Sequence, residues 1–319
     1  MNGYRLLAGV APVGMMAGLA AALITPLAQA DVDDPLAGSD TAIILGGTFE
    51  STPSTTFAQT AENLYLHPLG FDDGATSSMV CDMIATDPCS APLQVLTTPE
   101  LIQQGPSSLT AADDVVLAVE NEFNAHPGAF SAADPLTIFG YSQSATAESI
   151  AETRLEGIIP SDELHFVFIG DPSLLPNGVW PNLVPDLDTI FGTTRTNTIL
   201  TDLGFDGVLN NVTPADAFPT TIYTLDTDGV ADWQDDFKSG GLLSAISHLF
   251  IQHAEYLGLT PDEIAAGTTS THGDLTLVDI PDTFNNAEAW IGALEHGIGS
   301  SGLLESLFQS LELYFTNSF

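Results

Sequence analysis

Short apolar segments alternate along the chain with longer segments in which apolar residues recur every three or four positions. Short continuous runs are typical of strands buried on both faces of a parallel sheet, and a period of 3.6 residues is typical of helices packed against it. Strands are predicted at 41–46, 92–96, 135–140, 164–169 and 220–225, and helices at 111–124 with Thr110 as N-cap, 144–156 and 242–257. This alternation predicts an α/β fold with a mostly parallel central sheet and helices on both faces.

The first 30 residues differ from the rest of the chain. A single cation, Arg5, precedes an apolar stretch of small residues that closes on Ala28-Gln29-Ala30. A charged start, an apolar centre and an A-x-A site are typical of a secretory signal peptide. We therefore predict an exported protein, secreted or in the cell envelope, with cleavage after Ala30. An uncleaved anchor is the alternative, because the apolar stretch is long enough to cross a bilayer.

Two further segments lack the strand and helix alternation. Residues 172–219 have no clear periodicity inside the predicted domain at 31–282, which is typical of a functional segment or a lid. Residues 283–319 are predicted as a C-terminal amphipathic helical segment. Its apolar positions are Leu303, Leu304, Leu307, Phe308, Leu311 and Tyr314. This stripe is predicted to pack on the domain or on a partner protein. Peripheral contact with envelope lipids is the alternative, although the segment lacks the cationic face that such helices use.

Composition excludes one class of partner. The 319 residues are 44% hydrophobic, which is ample for a buried core, but only 4 Lys and Arg stand against 42 Asp and Glu. Phosphate binding depends on clustered cations, so a nucleic-acid partner is excluded. The acids are spread through the chain, which favours a solvated exterior.

The two cysteines, Cys81 and Cys89, lie in one short polar loop. A close, even pair in an exported protein predicts a disulfide. Zinc is disfavoured because two thiols without a nearby histidine leave its tetrahedron incomplete.

The residues Gly140-Tyr141-Ser142-Gln143-Ser144 separate a predicted strand from a predicted helix. A sharp strand-to-helix turn raises a serine hydroxyl above the strand ends and directs the next backbone N–H towards an oxyanion. Ser142 is therefore the candidate nucleophile, and the N–H of Gln143 is a candidate oxyanion donor.

A serine nucleophile needs a histidine to accept its proton and a carboxylate to orient that histidine. In α/β-hydrolases the order along the chain is nucleophile, acid, base. The strand at 220–225 is followed by Asp226, Asp228 and Asp232, of which we favour Asp232 and retain Asp228 as the alternative. The histidines that follow these acids, and so fit the order of a base, are His248, His253, His272 and His296.

Five motifs occur in one order: Gly46-Gly47-Thr48, the Ser142 turn, Gly170-Asp171-Pro172 with Asn177-Gly178, Asp228-Gly229-Val230-Ala231-Asp232, and His253-Ala254-Glu255-Tyr256. This order resembles the PE-PPE domain, a family of actinobacterial, cutinase-like serine α/β-hydrolases, over residues 41–282. The family also carries serine at the position of Ser144.

The resemblance implies an α/β-hydrolase fold, an ester or lipid substrate and no cofactor or metal. It implies His253 as the base and Thr48 as the second oxyanion donor, through its N–H or its hydroxyl. The chain departs from the family's pattern at Ala254 and Glu255, which stand in place of Gly and Thr. It also lacks the Tyr and Pro that flank the family's acid motif.

The acidic turn has a second interpretation as a calcium loop. Asp226, Asp228, Gly229 and Asp232 fit the third, fifth, sixth and ninth positions of an EF-hand, whereas Thr224 and Asp235 replace its first and last ligands. Two mismatches, and a preceding strand where a helix is required, disfavour calcium.

Together these features predict a secreted serine esterase that hydrolyses acyl or lipid esters through an acyl-enzyme. One alternative is an acyltransferase that moves acyl chains between cell-envelope lipids or sugars. The other is a catalytically inactive hydrolase fold that serves as an envelope or binding protein.

Overall fold

The computed structural model of the protein describes residues 36, 40–72 and 80–298. The predicted signal peptide and the apolar stripe from Leu303 to Tyr314 lie outside the described residues. No helix in the part of the chain that the structure describes is long and apolar enough to cross a membrane.

The described strands form one eight-stranded sheet with the order β2-β3-β1-β4-β5-β6-β8-β7. The strands are β1 (Thr41–Ile44), β2 (Val80–Met83), β3 (Leu93–Leu96), β4 (Leu136–Tyr141), β5 (Leu164–Ile169), β6 (Thr220–Leu225), β7 (Thr268–His272) and β8 (Leu275–Ile280). Every pair is parallel except β7 with β8. The predicted mostly parallel sheet is confirmed. Its strands end along one edge, where their connecting loops meet.

The helices are α1 (Thr55–Ala61), α2 (Gln104–Ala125), α3 (Gln143–Leu155), α4 (Val179–Phe191), α5 (Thr193–Asp202), α6 (Trp233–Gly240), α7 (Leu242–Phe250), α8 (Pro261–Ala265) and α9 (Asn286–Ala293). Short π-helical turns follow α1 and α9, at Glu62–Leu66 and Leu294–Ile298. Single 3-10 turns lie at His67–Leu69, Gln252–Ala254 and Tyr256–Gly258.

Alternate residues of each central strand face opposite layers of helix. Ile138 of β4 belongs to the core that contains α2 and α3. The next residue, Phe139, belongs to the core that contains Phe57 of α1 and Ala289 of α9. Burial on both faces explains why these strands are continuously apolar.

A third core joins the helices of the segment that the sequence left without periodicity, residues 172–219, to the helices that follow β6. It is formed by α4 to α7, with Trp180, Leu183, Trp233 and Ala245 buried in it. The backbone N–H of Val179 donates to the carbonyl of Val230 at 2.9 Å, which ties the start of α4 to the loop after β6. The segment is therefore a helical layer attached to the loops at the carboxyl edge of the sheet.

Two predicted helix boundaries are wrong. The second helix begins at Gln104 and not after Thr110. Pro106 fits the first turn of a helix, and the hydroxyl of Ser107 accepts from the N–H of Leu101 at 2.8 Å. The helix predicted to continue to 257 ends at Phe250, and 3-10 turns follow it. The predicted disulfide between Cys81 and Cys89 is confirmed.

Candidate active site

Ser142 occupies the turn between β4 and α3 with φ 59° and ψ −112°. A positive φ is uncommon for a residue other than glycine, and this strained conformation persists only where neighbouring contacts enforce it. Ser144 supplies one such restraint, because its hydroxyl accepts from the N–H of Tyr141 at 2.8 Å and lies 3.1 Å from the carbonyl of the same residue. Gly140 supplies the space, since a Cβ there would lie 2.6 Å from Oε1 of Glu148. The G-x-S-x-S pattern is therefore explained by local packing.

His253 lies on the 3-10 turn after α7 and reaches the serine. Its Nε2 is 2.7 Å from Oγ of Ser142. Its backbone carbonyl accepts a hydrogen bond from the hydroxyl of Tyr141, which precedes the serine. Gly170, at the end of β5, has φ 60°, and a Cβ there would lie 2.8 Å from Cε1 of His253. The turn and the glycine together fix the position of the imidazole.

The structure corrects the choice between the two acids. Asp228, and not Asp232, contacts His253: each carboxylate oxygen of Asp228 lies 3.0 Å from Nδ1. Oδ1 of Asp228 also accepts from the N–H of Val230 at 2.7 Å, which turns the carboxylate inwards directly after β6. Asp232 instead starts α6 and accepts from Nδ2 of Asn177 at 2.7 Å.

The carboxylate of Asp228 is held in its ionised form. Burial raises its pKa, but the charge of His253 and the hydrogen bonds from His253, Tyr256 and Val230 outweigh burial and lower the pKa below its usual value. The hydroxyl of Tyr256 donates to Oδ2 at 2.7 Å and accepts from the N–H of Leu225 at 3.0 Å. Tyr256, which the sequence analysis named only as part of a motif, therefore helps to fix the acid.

The remaining candidate histidines lie elsewhere. Nδ1 of His248 is 3.0 Å from the carboxylate of Asp236, and Nδ1 of His296 is 2.7 Å from the carbonyl of Leu257. His272 is exposed on the edge strand β7. Of the histidines that follow the acids, only His253 meets the serine.

The calcium interpretation of the acidic turn does not fit the structure. Asp228 is fully buried against His253, and Asp232 is turned to Asn177. In the ranges that the structure describes, no group of three or more His, Cys, Asp or Glu side chains is arranged to hold a metal ion.

The two candidate oxyanion donors, Gln143 and Thr48, belong to segments that adjoin Ser142. Gln143 is the first residue of α3, where a backbone N–H has no acceptor within its own helix. Thr48 follows β1, and a Cβ on the neighbouring Gly47 would lie 3.3 Å from Cβ of Ser142. The hydroxyl of Thr48 already donates to Oε1 of Gln143 at 2.9 Å, which leaves the backbone N–H of Thr48 as its candidate oxyanion donor.

Sequence reasoning missed Gln104, because it lies outside the helix that periodicity predicted. Its Nε2 donates to Oγ1 of Thr48 at 2.9 Å and to Oε1 of Gln143 at 3.2 Å. A glutamine before an amphipathic run carries no signal of such a contact.

Sequence reasoning also missed two buried carboxyl groups, those of Glu148, which packs against Gly140, and Glu100. Neither oxygen of Glu148 has a hydrogen-bond partner among the described residues. Burial, followed by the charges of Glu152, Glu100 and Asp171, raises the pKa of Glu148 well above its usual range. Burial likewise raises the pKa of Glu100 to about 8.

The architecture and the site define the class of the protein. A mostly parallel sheet carries a serine on a sharp strand-to-helix turn, followed along the chain by an acid and a histidine that meet it. These are the features of the α/β-hydrolase fold.

The family follows from the sequence. A PE-PPE domain model matches residues 88–277, which is more than half of the chain, and the chain therefore belongs to the PE-PPE domain family. The family predicted from the five motifs is confirmed.

Similar proteins of Mycobacterium tuberculosis include the PPE family protein PPE28, at 28% identity over 82% of this chain and 35% of that protein. They also include Esterase PE16, at 29% identity over 72% of this chain and 39% of that protein. The chain thus spans little more than a third of the length of either relative. Among solved structures, a cutinase-like protein from Cryptococcus sp. aligns at 17% identity and a TM-score of 0.37, over 67% of this chain and 87% of that one.

Proposed function

We propose that the protein is an exported serine esterase that hydrolyses carboxylic esters. Ser142 is the nucleophile, His253 transfers the proton and Asp228 orients His253. The observation that carries this proposal is the continuous contact from Oγ of Ser142 to Nε2 of His253, at 2.7 Å, and from Nδ1 of His253 to Asp228, at 3.0 Å. The similarity to a relative named an esterase supports an ester as the substrate.

The reaction proceeds in two halves. Oγ of Ser142 attacks the ester carbonyl carbon while its proton passes to Nε2 of His253. The tetrahedral intermediate collapses when the alcohol leaves with that proton, and the acyl group remains on Ser142. His253 then takes a proton from water, which attacks the acyl-enzyme, and Ser142 recovers its proton as the carboxylic acid departs.

Two backbone groups stabilise the negative charge on the carbonyl oxygen. We assign this role to the N–H of Gln143, at the start of α3, and to the N–H of Thr48, in the loop after β1. Loss of one such donor typically costs about 10²–10³ in rate. The ionised Asp228 stabilises the imidazolium that forms in each half of the reaction.

The test is p-nitrophenyl ester hydrolysis by wild type, Ser142→Ala and Ser161→Ala, with acetate, butyrate, octanoate and palmitate as the acyl groups. Ser161 is exposed and precedes β5, at the opposite edge of the sheet, so its variant is the matched control. We expect turnover by wild type and Ser161→Ala and its loss in Ser142→Ala. An inactive wild type, or an equally active Ser142→Ala, refutes the proposal.

Export belongs to the same proposal, with residues 1–30 as the signal peptide, 31–282 as the hydrolase domain and 283–319 as a C-terminal helical segment. N-terminal sequencing of the protein recovered from the culture medium should begin at Asp31. Full-length protein retained in the membrane fraction would instead support the uncleaved anchor.

A further inference from the structure

Three polar side chains beside Ser142 form a closed set of hydrogen bonds. Oγ1 of Thr48 donates to Oε1 of Gln143 at 2.9 Å. Nε2 of Gln104 donates to Oγ1 of Thr48 at 2.9 Å and to Oε1 of Gln143 at 3.2 Å. The three residues belong to the loop after β1 and to the first residues of α3 and α2. We call Gln104, Thr48 and Gln143 the glutamine clamp.

Every donor hydrogen that takes part in the clamp has an acceptor. The side-chain amide nitrogen of Gln104 has two hydrogens, and each has an acceptor. The carbonyl oxygen of Gln143 has two lone pairs, and each receives a donor. The hydroxyl of Thr48 both donates and accepts. Loss of Gln104 removes two of the three bonds at once.

The loop that carries Thr48 requires such support because its backbone is strained. Phe49, which follows Thr48, has φ 73°, and Glu100, which faces it, has φ 41°. The two are joined by a bond of 2.7 Å from the N–H of Phe49 to the carbonyl of Glu100. Left-handed conformations are costly for residues other than glycine, and they persist where neighbouring contacts enforce them.

The first turn of α2 is a firm base for the clamp. The hydroxyl of Ser107 accepts from the N–H of Leu101 at 2.8 Å, and the N–H of Gly105 donates to the carbonyl of Gly204 at 2.8 Å. The chain is therefore fastened on both sides of Gln104. The side chain of Gln104 transmits that fixed position to the loop after β1 and to the start of α3.

We infer that Gln104 is a positioning residue for the oxyanion site, which holds the backbone N–H groups of Thr48 and Gln143 at the spacing that a tetrahedral intermediate requires. This inference rests on the proposed function, because an oxyanion forms only when Ser142 attacks a carbonyl. Gln104 touches no reacting atom. It acts through the two residues that donate.

The test compares Gln104→Met with Gln103→Met. Methionine keeps the length of the side chain and removes both donors. Gln103 is the exposed neighbour, with no side-chain hydrogen bond at the start of the helix, and is the matched control. We expect Gln104→Met to lower kcat by about 10- to 100-fold, less than removal of a donor, and to change KM by less than about threefold. Gln103→Met should match wild type.

A transition-state analogue separates positioning from a general loss of structure. The hydroxyl of Ser142 adds to the carbonyl of a trifluoromethyl ketone, and the adduct places an oxyanion in the site. The inhibition constant of the ketone should therefore be higher for Gln104→Met than for wild type, by the factor by which kcat/KM falls. In a Thr48→Val background, the effect of Gln104→Met should shrink, because one of its two acceptors is already absent. Equal kcat and equal inhibition in Gln104→Met and Gln103→Met overturn the inference.

The proposed function and the clamp fail in different ways. If Ser142→Ala abolishes turnover and Gln104→Met leaves it unchanged, the inference about Gln104 is overturned and the proposed function stands. Absence of wild-type turnover overturns the proposed function. Hydrogen exchange then tests whether Gln104 fixes the loop that carries Thr48. Deuterium uptake in a peptide covering 46–51 should be faster in Gln104→Met than in Gln103→Met, and equal uptake overturns it. If Gln104→Met does not fold, Gln104→Asn, which keeps the amide but falls short of both acceptors, replaces it.

Discussion

Substitution of Asp228 by asparagine tests the geometry of the site most sharply, because the side chains of aspartate and asparagine have nearly the same shape. Both oxygens of Asp228 lie 3.0 Å from Nδ1 of His253, and the side chain also accepts from Tyr256 and Val230. In Asp228→Asn the remaining oxygen satisfies only some of these donors, and an amide N–H₂ faces Nδ1. The imidazole then carries its proton on Nε2, towards Ser142, and cannot accept the proton of the serine.

The expected loss in kcat is about 10⁴-fold, since a wrongly protonated histidine in a triad of this kind has that effect. A factor of this size corresponds to about 5.4 kcal/mol in the activation barrier. KM for a p-nitrophenyl ester should stay within about threefold, because the acid touches no substrate atom. The assay is steady-state release of p-nitrophenol by purified variants whose melting temperatures show that they are folded.

Asp232→Asn is the matched control. Asp232 contacts Asn177 and the N–H of Thr227, at the start of α6, and does not reach His253. We expect its kcat to stay within about threefold of wild type, because the side chain of Asp232 bonds to neither His253 nor Ser142. A large loss in Asp232→Asn with little loss in Asp228→Asn would refute the assignment of the acid. Equal losses would show that the geometry does not separate them.

Three further predictions concern the surroundings of the site. Burial raises the pKa of Glu100 from 4.5 to about 8. The stability that goes with this shift is fully present below pH 4.5 and is lost as the pH rises through about 8. Glutamine does not titrate, so between about pH 5 and pH 8 the free energy of unfolding should fall less in Glu100→Gln than in wild type. Denaturant titrations should show a difference between the two falls of up to about 4 kcal/mol, and parallel curves would contradict this. Ser144→Ala leaves the N–H of Tyr141 buried without its acceptor and should cost about 1–3 kcal/mol of stability by the same titration, so an unchanged midpoint would count against the role of Ser144. Gly170→Ala places a Cβ 2.8 Å from Cε1 of His253 and should lower kcat by about 10²-fold at constant KM, whereas a wild-type kcat would show that the imidazole is not fixed there.

The central strands were predictable because burial on both faces leaves them continuously apolar. The same reasoning could not find β7, whose sequence from Thr268 to His272 is polar and whose residues are all exposed. It is held in place as the antiparallel neighbour of β8. Helix α4 escaped prediction because Pro185 lies inside it, and its stability comes from burial of Trp180 and Leu183 in the third core. Local sequence does not record such tertiary packing.

The chemistry of the site divides in the same way. The position of Ser142 was predictable, because the strand, the small residues and the helix that create its turn are adjacent in the sequence. The choice of Asp232 over Asp228 was wrong because it depended on the direction of a loop. The N–H of Val230 bonds to Asp228 and turns that carboxylate inwards, and the sequence of the loop does not show this. Gln104 was missed because its partners lie 56 and 39 residues away.

The central claim is that the hydroxyl of Ser142 forms a covalent intermediate, and peptide mass mapping of a trapped adduct tests it most directly. The protein is treated with a fluorophosphonate ester, digested and searched for the phosphonyl group, with Ser142→Ala and Ser161→Ala treated in parallel. We predict one adduct, on Ser142, in wild type and Ser161→Ala, and none in Ser142→Ala. An adduct on another residue, or none in the folded wild-type protein, would contradict the assignment.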